Sequence, residues 1–153
     1  MSVDAQSLIL KASENFKACL REIGKKKHLP AADTLFHEDD ENSGVFLMVA
    51  GKVSMSVRGL PRLDRVFRSG SVLGLPSTFT GRPYILTARA ITKAEVVQVT
   101  PEVFLRLLLE RPDLCREATE ILGRETSFIH SALIDRRSVA TSTTNEGGHV
   151  AVE

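Results

Sequence analysis

The sequence has little of what marks several large classes of protein. Its 153 residues include two cysteines, one tyrosine and no tryptophan, and the net formal charge is only +1. Cys19 and Cys115 lie far apart and form no CxxC pair, so neither a disulfide framework nor a zinc cluster is indicated. The near-neutral charge gives no overall attraction to nucleic-acid phosphates. Ten Gly and six Pro exclude a collagen-like chain.

Long apolar runs and catalytic motifs are also absent from the sequence. No apolar run approaches the ~20 residues that a membrane span needs, and none follows a basic N-terminus as in a secretory signal. GxSxG, P-loop and GxGxxG motifs are missing. We therefore expect a reduced, cytoplasmic protein that is not an enzyme, has no catalytic residues and does not contact a membrane.

The acidic run at residues 37–41, His-Glu-Asp-Asp-Glu, contains residue types that bind metals. It lacks the spacing of a DxDxDG calcium loop and of an HExxH zinc helix, so a solvated hairpin tip is the prediction. A haem would need axial donors placed by a motif, and no His or Met is placed in that way. We expect no metal and no cofactor.

The first part of the chain has a helical pattern. Apolar residues recur at spacings of three and four over residues 3–23, which predicts an amphipathic helix. Gly24 is a natural C-terminal stop. Lys25, Lys26 and Lys27 follow it, where positive charge suits the end of the helix dipole and predicts a solvated basic face.

From Leu29 to Val99 the pattern changes to strands. Two runs on either side of Gly51 have a period of two, which predicts strands with one face inward: Val45, Leu47 and Val49 alternate with Phe46, Met48 and Ala50, and Val53, Met55 and Val57 alternate with Ser54, Ser56 and Arg58. Short strands recur about every 8–12 residues. Thr87–Ile91 and Glu95–Val99 are predicted to form the last strand pair, around Thr92-Lys93. This spacing favours an antiparallel sandwich or barrel rather than a parallel sheet.

Helices return near the end of the chain. Thr100 suits an N-cap, Pro101 the first helical position, and Pro112 should interrupt the helix. A long helix is predicted over residues 113–137, with an apolar stripe wider than one small barrel would cover. A partner helix could cover the remainder, so we expect a homodimer through this helix. The Ser-, Thr- and Gly-rich residues 138–153 predict a disordered tail after a single domain, residues 1–137.

The order of these elements resembles the cyclic nucleotide-binding domain, the ligand-sensing part of catabolite-activator-type bacterial regulators. Four segments carry the resemblance: 29–40 (LPAADTLFHEDD), 45–53 (VFLMVAGKV), 69–74 (SGSVLG) and 80–90 (TGRPYILTARA). Asp33 and Asp39 stand for glycines of the family's opening turn, and Asp tolerates left-handed backbone angles. The resemblance implies a mainly β fold with flanking helices (α+β), an antiparallel double-stranded β-helix or jelly roll.

The sequence departs from the family inside residues 70–90, which we call the cassette. In the family a Glu after the cassette glycine holds the ribose, and an Arg after the Gly-x-Pro pairs with the cyclic phosphate. Leu75 and Tyr84 stand at these positions, and Ile85 follows where a small residue is usual. Losing a charge-assisted pair in a pocket costs on the order of 2–5 kcal/mol, or roughly 30- to several-thousand-fold in affinity. We therefore do not expect high-affinity cyclic nucleotide binding of the usual kind.

A candidate ligand pocket follows from the same resemblance. Arg82 precedes the cassette Pro, Arg89 occupies a position where the family also carries Arg, and His130 lies where the family's long helix contacts the base. The backbone amides near Gly74 are a further candidate for anion binding. The candidate ligand-binding residues are Gly74, Leu75, Pro76, Ser77, Arg82, Tyr84, Ile85, Arg89 and His130.

Three functions remain open. The first is a ligand-sensing regulatory module for a small molecule. The second is a ligand-free domain used for dimerisation or partner docking. The third is the sensor part of a transcription regulator whose DNA-binding half is absent, because the 16 residues after Arg137 are too few for a winged helix-turn-helix, which needs roughly 60. We expect no DNA binding by this chain alone.

Overall fold

The fold is built from strands with helices at both ends. The computed structural model describes residues 10–57, 60–127 and 130, without the side chains of residues 57 and 60–64. Within these ranges the elements are, in chain order, α1 (Glu14–Ile23), β1 (Lys25–Leu29), β2 (Thr34–Phe36), β3 (Val45–Ala50), β4 (Val53–Val57), β5 (Leu60–Phe67), β6 (Val72–Leu73), α2 (Leu75–Thr80), β7 (Thr87–Ala90), β8 (Ala94–Val99), α3 (Pro101–Glu110) and α4 (112–127).

In the described part of the chain, eight antiparallel strands form two four-stranded sheets. Their orders are β1-β8-β3-β6 and β2-β7-β4-β5. Most strands that follow each other in the chain therefore lie in opposite sheets, which is the arrangement of a jelly roll. The core lies between the sheets and under the helices, where Phe16 of α1 stacks on Phe104 of α3 with ring centroids 6.3 Å apart. The prediction of a mainly β fold with flanking helices is confirmed.

The N-terminal helix is shorter than the predicted span of residues 3–23. Among the described residues it begins at Glu14, because the Ser13 hydroxyl accepts a hydrogen bond from the Phe16 amide and caps it. The residues just before the cap pair with the roll instead: Leu10 O accepts from the Val72 amide at 2.9 Å, and the Ala12 amide donates to Gly70 O at 2.9 Å. Residues 3–9 of the prediction lie outside the described range.

The three lysines after Gly24 form a strand, which the sequence pattern did not predict, although their exposure agrees with the predicted solvated basic face. Lys25–Leu29 is β1, at the edge of its sheet and antiparallel to β8. The lysine side chains are exposed, and Lys26 Nζ lies 3.2 Å from Glu95. Lysines on an edge strand discourage pairing with a further strand, which gives this run a structural reason.

The predicted pairing of the last two strands is also wrong. β7 pairs with β2 and β4, whereas β8 pairs with β1 and β3 in the other sheet. The chain crosses between the sheets at residues 91–93, beside a second crossing at Gly51. A Cβ on Gly51 would lie 2.3 Å from Lys93 O. Glycine at position 51 therefore allows the two connections between the sheets to pack against each other. Sequence alternation alone suggests a hairpin at residues 91–93.

The C-terminal helices begin and break as the sequence predicts. Thr100 holds the N-cap position of α3 with Pro101 behind it, although the Thr100 side chain makes no capping hydrogen bond. α4 buries Leu114, Ala118 and Ile121 in the core of its own roll. Part of the apolar stripe is therefore covered within the chain, and the rest of the predicted helix and the tail 138–153 fall outside the described residues. Of the helices described, none is long and apolar enough to span a membrane.

Candidate functional site

The cassette contains a small, partly open cavity of about 10 Å³ between the roll and α4. That volume is close to the minimum for one water molecule. The wall is largely apolar, with a hydroxyl and a carboxyl as its polar side chains besides the tyrosine. It is formed by Phe36, Met55, Gly74, Pro76, Ser77, Tyr84, Ile85, Leu86 and Glu125.

Gly74 shapes the entrance to the cassette. Its φ is +92°, and a Cβ there would lie 3.0 Å from Gly44 O and 3.3 Å from the Tyr84 ring. Glycine adopts this conformation without strain, and its missing side chain lets the backbone approach the tyrosine. The short helix α2 is then held by its own hydroxyls, since Thr78 Oγ1 donates to Gly74 O at 2.8 Å and Ser77 Oγ to Pro83 O at 3.1 Å.

Tyr84 is buried in the interior, at the position that the family resemblance gives to a phosphate-binding Arg. It is 2 % exposed, and its ring stacks on Phe36 with centroids 4.0 Å apart. Its hydroxyl donates to Gly44 O at 2.7 Å and accepts from the Ser43 amide at 3.0 Å, with Ser43 Oγ at 3.1 Å. Burial raises the pKa of Tyr84 above its ordinary value. The group is therefore a neutral phenol whose polar atom is already satisfied within the protein.

The loop before β3 holds the backbone of Tyr84 in place. The Asp39 amide donates to Tyr84 O at 2.7 Å, and the Tyr84 amide donates to Asp40 O at 3.0 Å. Asp39 has a φ of +74°, as its glycine-like position predicts. For Asp33 the prediction is wrong: the left-handed residue of that turn is Ala32, also with a φ of +74°.

Leu75 and Ile85 take opposite positions in the cassette. Leu75, where the family has its ribose-binding Glu, is completely buried in the core and is not among the residues that line the cavity. Ile85 lines the cavity and is 46 % exposed. The substitution of Leu75 therefore removes a polar group from the cassette and adds packing to the core.

The three basic candidates lie away from the cavity. Arg82, Arg89 and His130 are exposed and do not line it. Arg89 Nε donates to Ala32 O at 3.0 Å, on the outer face of β7. The structure thus brings Gly74, Pro76, Ser77, Tyr84 and Ile85 together at one wall and separates the basic residues from them. Ligand binding by any of the nine candidates stays a prediction.

Sequence reasoning missed Glu125, which α4 places at the cavity. The residue is 2 % exposed, and its Oε1 atom has no hydrogen-bond partner. Burial raises the pKa of this carboxyl to about 8. The signal was present in the sequence, because Glu125 continues the buried stripe of Leu114, Ala118 and Ile121 at helical spacing and is its one charged member within the described part of α4.

A larger groove, of about 260 Å³, lies on the other side of the roll beside α1. Charged side chains at its rim include Arg21, Lys26 and Glu95, and the last two pair with each other at 3.2 Å. Since Arg21 and Lys26 are exposed and Lys26 pairs with the half-buried Glu95, the groove has the character of an ordinary charged surface.

Comparison with known proteins agrees with this geometry. The family model for the cyclic nucleotide-binding domain matches residues 26–111, more than half of the chain. No curated protein matches the sequence. The catabolite activator protein of Thermus thermophilus has the same fold, with a TM-score of 0.67 and 17% identity over 88% of this chain and 63% of that one. This chain therefore spans about 63% of the length of that regulator.

For two further structures, the similarity covers a larger share of the matched protein. One belongs to a study of a cyclic-GMP-dependent signalling pathway in bacterial phytopathogenesis; its TM-score is 0.67, with 16% identity over 79% of this chain and 96% of that one. The other is the N-terminal domain of a transcriptional regulator from Streptomyces coelicolor A3(2), with a TM-score of 0.58 and 23% identity over 82% of this chain and 90% of that one.

The fold and its cassette define a jelly-roll domain of the regulatory, ligand-sensing class. With the family match over residues 26–111, this chain belongs to the cyclic nucleotide-binding domain family.

Proposed function

We propose that the chain is a ligand-sensing regulatory module whose cassette does not hold cyclic nucleotides in the family's usual way. The observation that carries this proposal is the inward position of Tyr84, whose ring and bonded hydroxyl occupy the phosphate side of the cassette. Its role is binding rather than catalysis.

A cyclic phosphate would lack its usual partners in this cassette. A phenol offers one neutral donor where a guanidinium offers a charged fork, and the Tyr84 proton already goes to Gly44 O. Leu75 cannot accept a hydrogen bond from a ribose hydroxyl. A phosphate moved from water into this wall would lose hydration without an opposite charge, which is strongly unfavourable.

Sensing would work through α4, since this helix covers the cavity. A ligand larger than one water needs α4 to move away from the roll, and it shifts the population only if it binds the open arrangement more tightly than the closed one. We propose that a homodimer through residues 113–137 transmits this movement, and that in a longer regulator a DNA-binding part would receive it. The likeness to the N-terminal domain of a transcriptional regulator supports this last role.

A second candidate is a ligand-free domain for dimerisation or partner docking. The observation in its favour is the cavity volume of about 10 Å³, which leaves no room for a molecule larger than water in this arrangement. The two candidates differ in whether any small molecule stabilises the native state.

Thermal melting separates these candidates. We expect 1 mM cAMP or cGMP to leave the melting temperature unchanged, and a metabolite panel to contain a compound that raises it, since binding to the native state must stabilise it. If no compound shifts the melting temperature and the protein is a dimer with or without these compounds, the ligand-free role is favoured. A clear shift with micromolar cAMP would contradict the proposal.

A paired substitution tests the cassette argument directly. Leu75→Glu with Tyr84→Arg should create cAMP affinity, seen as a rise in melting temperature. The matched control places the same new residues outside the cassette, as Leu105→Glu with Leu109→Arg on the exposed face of α3. The control should gain no cAMP response, and equal responses in both variants would contradict a cassette effect.

A further inference from the structure

Among the described residues of the cavity wall, Glu125 carries the one carboxyl, and its charge preference is the reverse of that of the family's phosphate site. Its Oε1 atom is buried and accepts no hydrogen bond, although a buried oxygen of this kind normally has a partner. The cavity lies directly beside it. A ligand that entered there would supply the missing partner.

The described part of the surrounding wall contains no positive charge. Among the described residues that line the cavity, none is Lys, Arg or His. The other titratable wall group is Tyr84, whose raised pKa keeps it neutral. Next to Glu125 on α4, Arg124 is exposed and is not part of the wall. An anionic ligand would therefore meet a carboxyl and no cation, which is unfavourable in a buried site.

The remaining wall sets the other requirement for the ligand. Phe36, Met55 and Leu86 present apolar surface, and the outer side is formed by Pro76 and Ile85. Such a wall suits an apolar body, with a single polar group to fix its orientation. An ammonium group offers several donors and the opposite charge for a carboxylate.

We propose that the cassette binds a small organic amine, an apolar body carrying one ammonium group that pairs with Glu125. This inference rests on the proposed sensor role and names the chemical class of its ligand. On binding, Glu125 releases one proton to solvent and becomes a carboxylate, and the amine remains an ammonium ion. The pair then lies in the space that α4 covers in the closed arrangement.

Entry of an amine requires local opening of α4, and Gly123 lies where that movement would occur. The first half of the helix is held by Leu114, Ala118 and Ile121 in the core. Gly123 follows them, two residues before Glu125, and no atom lies within 4 Å of where its Cβ would be. Glycine within a helix lowers its stability and is a common site of bending.

The test uses matched pairs of probes with opposite charge. Cyclohexylamine is compared with cyclohexanecarboxylate, and phenethylamine with 3-phenylpropionate, by calorimetry and thermal melting of the full chain. We expect at least one amine to bind ten-fold or more tightly than its matched carboxylate. Below pH 8 its affinity should rise with pH, up to about ten-fold per unit, because Glu125 must lose a proton.

Two variants assign the effect to this carboxyl. Glu125→Gln should weaken amine binding at least ten-fold and remove its pH dependence, whereas Glu120→Gln, an exposed position on the same helix, should change neither. Carboxylate probes that bind as well as the amines, or an unchanged Glu125→Gln variant, would overturn the inference. If no amine binds but another compound raises the melting temperature, the amine inference fails and the sensor role stands; if no compound does, both fail.

Discussion

The described part of helix α4 carries three glutamates, and two of them, Glu117 and Glu125, have opposite surroundings. Glu117 lies at the surface, where its oxygens accept from the Ser13 amide at 2.5 Å and from Ser13 Oγ at 2.7 Å. Glu125 is buried, and its Oε1 has no partner. The first half of α4 is thus joined to the start of α1 by hydrogen bonds, while the second half holds a group that would be better solvated in water.

The difference assigns separate tasks to the two halves of the helix. In the first half, Asn15 Nδ2 also contacts Asp113 at 3.4 Å, and Arg111 forms hydrogen bonds to Asp113 at 3.0 and 3.1 Å. These contacts fix the helix to the roll at one end. The second half covers the cassette with an unsatisfied carboxyl, which is the arrangement expected of a cover that opens.

The largest expected effect concerns Glu125 and pH. The folded pKa of about 8 lies above the ordinary value of 4.5, so the folded state holds a proton that the unfolded state loses. The contribution of Glu125 to the free energy of unfolding should therefore be largest below about pH 4.5 and fall as pH rises to about 8, by at most about 1.4 kcal/mol per unit. Urea unfolding at pH 5, 6, 7 and 8 measures the slope.

Replacement of Glu125 sharpens this measurement. Glu125→Met keeps a side chain of similar length without the buried carboxyl, so its slope should be shallower and its stability at pH 8 greater by a few kcal/mol. Glu120→Gln should retain the parent slope. Equal slopes in the parent and in Glu125→Met would mean that this carboxyl is ionised in the folded protein, against the burial seen here.

Much of the fold could be predicted because its signals are local. The expected period of two located β3 and β4, although β3 is buried on both faces from Val45 to Met48, and the pair Thr100-Pro101 identified the start of α3. The β1 lysines were misassigned because their strand state depends on β8, some 70 residues away in the chain. The pairing of β7 failed for the same reason, since sheet partners are chosen by tertiary contacts that short-range spacing does not encode.

The candidate site was predictable in part. The resemblance to the family singled out Leu75 and Tyr84, which the structure places in the interior, but it could not show that the Tyr84 hydroxyl donates to Gly44 O. Glu125 was overlooked because a single Glu on a long helix is usually solvated. Its buried state follows from the packing of α4 against the roll, where it continues the stripe of Ala118 and Ile121.

A smaller effect on stability is expected when the hydrogen bonds between Ser13 and Glu117, at the start of α4, are weakened. Ser13→Ala removes both the N-cap of α1 and the hydroxyl that donates to Glu117, so the free energy of unfolding should fall by about 1–2 kcal/mol. Ser127→Ala, at an exposed position of α4, is the matched control and should stay within about 0.5 kcal/mol of the parent. A Ser13→Ala variant as stable as its control would show that this junction does not fix the helix.

The smallest effect is expected at Gly123, between the two halves. A Cβ there meets no atom within 4 Å, so Gly123→Ala should stabilise the protein by about 0.5–1 kcal/mol through helix propensity alone. Amide exchange in the turns after residue 123 should slow more than in the turns before it, because the added stiffness acts where the helix is less well held. Glu120→Ala tests whether any helix-favouring change does the same. If amide exchange slows equally in both halves, α4 opens as one rigid unit. Glu117 and Glu125 would then differ in solvation, but the two halves of the helix would not differ in motion.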